Sequence, residues 1–150
     1  MTIHSFFIFD RHCNCIYNRE YSHEANDNGT INKNNQSDGA KLLFGMLYSL
    51  KNMASKLGDG DMNNLLKSFS TSKYRTHFLE SATGLKFVII SDTSIDNLQN
   101  VLWELYSNYY LKNITFNSLS AVDFKEEEKI SNNNFIVETD KFLQSLAVFQ

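Results

Sequence analysis

Tyr74-Arg75-Thr76-His77-Phe78-Leu79-Glu80-Ser81-Ala82-Thr83-Gly84-Leu85-Lys86-Phe87-Val88-Ile89-Ile90-Ser91 decides the architecture of this chain. Tyr74 to Ser81 alternates in polarity, the period of a strand with one covered face. Leu85 to Ser91 has a nearly continuous apolar centre, Phe87-Val88-Ile89-Ile90, as in a central strand covered on both faces. Ala82-Thr83-Gly84 between them suits a hairpin turn. Upstream, Leu65 to Thr71 reads as a shorter strand, making a block of three. Ile3 to Phe9 and Cys13 to Tyr17, split by Asp10-Arg11-His12, read as a hairpin of their own. The intervening chain must therefore cross from one antiparallel block to the other.

A helix from about Gly39 to Leu57 makes that crossing. Leu43, Met46, Leu47, Leu50, Ala54 and Leu57 recur at helical spacing as one buried face, with Ser37 or Asp38 as cap and Gly58 as stop. Residues 22 to 38 are polar and read as an exposed loop, as does Gly58-Asp59-Gly60-Asp61. Thr93-Ser94-Ile95-Asp96 matches a capping box opening a second helix to about Leu111, with Ile95, Leu98, Leu102, Leu105 and Tyr109 inward. A linker with Asp123 and the charge run Lys125 to Lys129 precedes a last helix near Asn134, with Phe135, Ile136, Phe142, Leu143 and Leu146 inward. The order is β-β-α-β-β-β-α-α. It predicts a single α/β domain over 1–150, a five-stranded antiparallel-type sheet sandwiched by helices.

Composition narrows the function. The 150 residues are 42% hydrophobic, enough for one core, with a net charge of -3 that argues against a nucleic-acid partner. Phe6-Phe7-Ile8-Phe9 is too short for a signal peptide, and no window nears the roughly 20 apolar residues that span a bilayer. Direct membrane insertion is not expected. Cys13 and Cys15 are too close to staple a secreted fold, which indicates a reducing compartment. The sequons at Asn28, Asn35 and Asn113 then carry no meaning.

Local motifs of chemistry are weak. His12-Cys13-Asn14-Cys15 suggests a metal, but zinc sites commonly draw on two spaced pairs of ligands, and His4, His23 and His77 form no second pair. Packed thiols are the plainer reading, and no cofactor is expected. A small hydrolase using Cys13 or Cys15 with a distant histidine is the rival from another class, and rapid iodoacetamide labelling would reveal its thiol. Gly58-Asp59-Gly60-Asp61 lacks the Lys-Ser/Thr ending of a phosphate loop and the spacing of a calcium loop. Glu126-Glu127-Glu128 reads as a solvated face. More informative is a second stripe, Trp103, Tyr106 and Tyr110, beside the core face of the second long helix, echoed by Phe44 and Tyr48 in the first. Either the last helix covers these aromatics or they form a partner surface, where Trp and Tyr are favoured anchors.

Phe9-Asp10-Arg11-His12-Cys13-Asn14-Cys15-Ile16-Tyr17 resembles the opening signature of the first small subunit of the TRAPP vesicle-tethering complex. Gly29-Thr30-Ile31-Asn32, Ala40 to Met46, Ser70 to His77, Thr83 to Phe87, Asp123-Phe124 and Asn134-Phe135 continue the likeness collinearly over almost the whole chain. The resemblance implies a longin-like fold and a non-catalytic adaptor subunit of a cytoplasmic complex, peripheral at the early Golgi and the endoplasmic reticulum exit region. It implies partners among the other longin-like and α/β small subunits. Through the complex it implies a Rab GTPase whose nucleotide exchange the assembly promotes. On fold alone, a small subunit of a coated-vesicle adaptor is the alternative.

Overall fold

The computed structural model describes residues 3–12, 14–21, 30–31, 38–58, 65–95, 97–115, 130 and 132–146, with backbone alone at 30–31 and 38–40. The strands are β1 (Ile3–Phe9), β2 (Cys15–Glu20), β3 (Thr30–Ile31), β4 (Ser68–Ser70), β5 (Tyr74–Glu80) and β6 (Lys86–Asp92). They form one antiparallel sheet in the order β3-β2-β1-β6-β5-β4. The five expected strands are all present. The two-residue β3 adds an edge pair, Arg19↔Ile31 and Glu20↔Thr30, inside the segment read as loop. Polar composition hid it, because so short an edge needs only backbone pairing.

Alternation along β1 and β6 divides two cores. Phe7, Phe9 and Val88 join Phe78 and Leu47 on one face, beneath α1 (Asp38–Leu57). Phe6, Ile8, Phe87 and Ile89 face the other way, onto α2 (Gln99–Glu104), its continuation Leu105–Thr115, and α3 (Asn133–Ser145). The sheet is therefore sandwiched, a longin-like arrangement.

The second long helix departs from expectation at both ends. Thr93 and Ser94 sit in a turn, and the Ile95 amide donates to the Asp92 carbonyl at 3.2 Å. The capping box at Thr93–Ile95 therefore starts no helix, and its Asp96 lies outside the described residues. The Gln99 amide takes the Asn97 side chain instead, at 2.9 Å. From Leu105 to Thr115 the helix winds as a π-helix. Its i→i+5 ladder brings Leu105 and Tyr110 onto one line, and Ile114 follows. All three are buried. An α-helical projection puts Tyr109 inward and Tyr110 on the flank; the wider winding exchanges them, leaving Tyr109 half-buried on Phe142 (centroids 5.0 Å).

Two turns lock the sheet at one end. Asp10 Oδ1 accepts the amides of His12 (2.9 Å) and Asn14 (2.8 Å), while the Asp10 amide donates to the Asn14 carbonyl at 2.9 Å. In the β5–β6 turn, Gly84 has φ +88°, and a side chain there would meet Arg11 Cβ at 3.1 Å. The two turns thus lie against each other; the positive φ favours glycine, and any side chain added there would press on Arg11. At the far side, α3 starts at Asn132, whose side chain accepts the Phe135 amide at 3.1 Å. Arg19 of β2 pairs with Asp140 of α3 at 3.2 Å, and the Tyr21 hydroxyl donates to the same carboxylate at 3.3 Å. Burial pushes the Asp140 carboxyl up, with Arg19 and Tyr21 opposing.

Candidate protein interfaces

The five aromatics expected at a partner surface divide among three settings. Tyr48 is 58% exposed on α1, and its ring stacks on half-buried Phe44 (6.3 Å). Phe44 leans on core Phe9 (5.7 Å), and Lys86 lies over its outer side (5.6 Å). Trp103 is 58% exposed on the opposite face of the sheet and rests on Tyr106 (5.7 Å). Tyr106 is half-buried against Phe87. Tyr110 is 1% exposed, edge-on to Phe87 (5.6 Å) and Phe135 (6.2 Å). It is core, as the π winding requires, and α3 covers it. Phe44 with Tyr48, and Trp103 with Tyr106, are two separate patches.

The larger exposed apolar surface is one that helical periodicity misassigns. Leu42 (71% exposed), Met46, Met53 and Leu57 (83% exposed) recur along one flank of α1. Periodicity places Met46 and Leu57 on its buried face. The buried line runs instead through Leu43, Leu47, Leu50 and Ala54, of which Leu47 is fully enclosed. A helix on a sheet covers about one stripe. Here apolar residues stand on both sides of it, Leu42 to Leu57 on one and Phe44 with Tyr48 on the other. Between those flanks, an added Cβ at Gly45 would meet no atom of the described residues beyond its own helix within 4 Å. The misleading signal was an apolar arc wider than one contact needs, in which the eye selects the wrong centre. The same width leaves large apolar side chains exposed on both flanks of the buried line.

A profile of the Sybindin-like family matches residues 3–143. The chain belongs to the Sybindin-like family. It is 44% identical over 153 residues to trafficking protein particle complex subunit BET5 of Saccharomyces cerevisiae, spanning 95% of this chain and 96% of that protein. It is 31% identical over 149 residues to subunit 1 of the complex from Rattus norvegicus, spanning 99% and 97%. Subunit 4 from Bos taurus shares 31% over 75 residues, 48% of this chain and 34% of that protein. The resemblance read from the opening signature therefore holds over nearly the full length.

In this Sybindin-like chain the signature stretches have structural work. Asp10–Asn14 builds the first turn. Ser70–His77 builds the β4–β5 hairpin, where Thr71 and Tyr74 exchange backbone and side-chain hydrogen bonds of 2.8 to 3.2 Å. Arg75 Nη1 then reaches back to the Ile95 carbonyl (3.4 Å). The hairpin bonds of Tyr74 and this contact of Arg75 give both residues a structural role that periodicity does not offer, while nothing in the structure explains Lys73. His77 Nε2 lies 2.9 Å from Ser91 Oγ, and both residues are buried. His4 pairs with Asp92 at 2.8 Å. Cys15 is half-buried, its thiol donating to the Tyr17 carbonyl at 3.3 Å, and Cys13 lies outside the described residues. Among the described residues no cluster of His, Cys, Asp and Glu has the geometry of a metal site. No described helix is long and apolar enough to cross a membrane. The expected readings at residues 23, 59–61 and 123–129 also lie outside the described residues.

Proposed function

We propose that this chain is a non-catalytic adaptor subunit of the TRAPP complex, acting in the tethering of vesicles that travel from the endoplasmic reticulum to the Golgi. It works in the cytoplasm, peripheral at the early Golgi and the endoplasmic reticulum exit region. One observation carries the reading: a member of a family of trafficking-complex subunits keeps a long apolar flank of α1 bare, on the face opposite Trp103. A solvent-facing stripe of leucine and methionine is costly for a monomer and suits a buried subunit contact. The partner across α1 is then another small subunit of the same complex. Trp103 and Tyr106 offer a second, smaller anchor for another subunit.

In the assembled complex the chain contributes contacts to an early-secretory Rab GTPase. Nucleotide exchange breaks no bond; a factor that binds the nucleotide-free GTPase better than the loaded one accelerates release by differential affinity. No catalytic side chain is then required of this subunit.

Met46→Asp with Met53→Asp tests the reading. Both residues are exposed, so the far-ultraviolet dichroism should be unchanged and the melting temperature should fall by only a few degrees, through the lower helix propensity of Asp. Copurification of the other small subunits should fall by about tenfold or more, as expected when charges are buried at an interface core. Full recovery of the partners by the double variant would remove α1 from the assembly.

A further inference from the structure

β5 outruns its neighbour. β4 pairs only with Arg75, Thr76 and His77, and the Lys67 carbonyl then accepts the Phe78 amide at 2.9 Å. Gln99 closes the ladder, its side-chain amide donating to the carbonyls of Phe78 (2.9 Å) and Lys67 (3.1 Å). The next residue whose N–H and C=O turn to that edge is Glu80, since Leu79 and Ser81 turn toward β6. No strand stands beside Glu80 among the described residues. A cavity of about 280 Å³ opens at this point, lined chiefly by apolar groups including Leu66, Phe78, Leu79 and Ala82. It draws on residues of both sheet faces, because it wraps the edge itself. Lys51 and Lys67 also line it. Lys51 and Lys86 share the Glu80 carboxylate, at 2.6 and 4.0 Å, and exposed Lys67 has no carboxylate partner among the described residues. Two ammonium groups thus share the Glu80 carboxylate, while Lys67 lines the same cavity without a carboxylate of its own among the described residues.

We propose that this edge takes an extended segment of a neighbouring subunit as an added strand. The segment pairs its backbone with Glu80, seats an apolar side chain in the cavity and presents a carboxylate to Lys67. Backbone pairing, a side-chain pocket and a charge of matching sign are the three elements of strand addition. Unpaired strand edges are otherwise covered or blunted in soluble proteins; here the edge carries charge, Lys67 included, beside an apolar pocket, which selects an acidic segment over an arbitrary one. The inference rests on the adaptor reading above but uses a surface distinct from α1 and Trp103.

Residue-resolved amide hydrogen exchange tests it, on the full chain alone and on the assembly recovered with it. Alone, Glu80 should exchange fast while Leu79 and Ser81 stay slow. In the assembly Glu80 should slow by about tenfold or more, and Lys67→Glu should abolish that slowing while partners are still recovered. Equal exchange of Glu80 in both states, with partners present, would overturn the inference and leave the adaptor reading standing. A slow Glu80 amide in the chain alone would also overturn it, since the edge would then be covered from within. Failure to recover any partner would remove the adaptor reading and this inference together.

Discussion

His77 and Gly84 show what single residues are asked to do here. The Ser91 hydroxyl donates to the Asp92 carbonyl at 3.2 Å and so accepts from His77 Nε2–H at 2.9 Å, which fixes the neutral tautomer. Burial, with Arg75 adding to it, pushes the imidazole down to about 4. In the unfolded chain the same group titrates near its ordinary value of 6.5. Between those values the unfolded state binds a proton that the native state excludes, so stability falls as pH drops from 6.5 to 4. The full loss approaches roughly 3 kcal/mol. Urea midpoints across that window should fall less in His77→Gln than in the wild type; parallel falls would place the acid sensitivity elsewhere. Little of this was legible beforehand. The turn role of Asp10 and Gly84 follows from residue type, since Asp caps its own turn and Gly tolerates positive φ. The His77–Ser91 and Arg75–Ile95 contacts join residues 14 and 20 apart in the chain, and no local pattern announces them.

Helices are the level at which local patterns reach furthest and also mislead. Both hairpins, the crossover by α1 and the start of α3 near Asn134 were legible, because strand alternation and a strong cap are local signals. The π winding from Leu105 was not, since periodicity presumes the α-helical turn and so places Tyr110 beside the core face, where cover by the last helix and contact with a partner were equally open. The contrast yields a paired prediction. Tyr110→Ala removes a ring packed on Phe87 and Phe135 and should cost about 3–5 kcal/mol in chemical denaturation. Trp103→Ala should cost about 0.5 kcal/mol or less, while reducing recovery of a partner subunit. Comparable destabilisation by both would make Trp103 part of the core. Gly45 gives a sharper test of α1. Alanine there meets no described residue outside its own turn of helix within 4 Å and should stabilise the helix by about 0.5–1 kcal/mol. If a partner helix packs closely on this face, the same substitution should shorten the lifetime of the complex. A stabilised chain with an unchanged complex would show that nothing approaches Gly45.

Viewed whole, the molecule is a sheet covered on both faces that still leaves apolar side chains outside each cover: Leu42, Met46, Met53 and Leu57 beyond α1, Trp103 beyond the α2 continuation. Contacts on opposite faces suit a subunit held between neighbours, and the chain alone should associate with itself at high concentration. The site was legible only in outline for the same reason. Surplus aromatic and aliphatic surface can be counted in a sequence, but which part of it stays bare depends on where the sheet and α3 come to rest. The most direct test of the adaptor reading is affinity purification of the tagged chain from its own cells, with the copurifying proteins identified and their amounts measured. The reading predicts several other small TRAPP subunits, longin-like and α/β, in near-equal amounts to the chain. Recovery of the chain as a monomer without partners, or with coat-adaptor large subunits in place of TRAPP subunits, would contradict it.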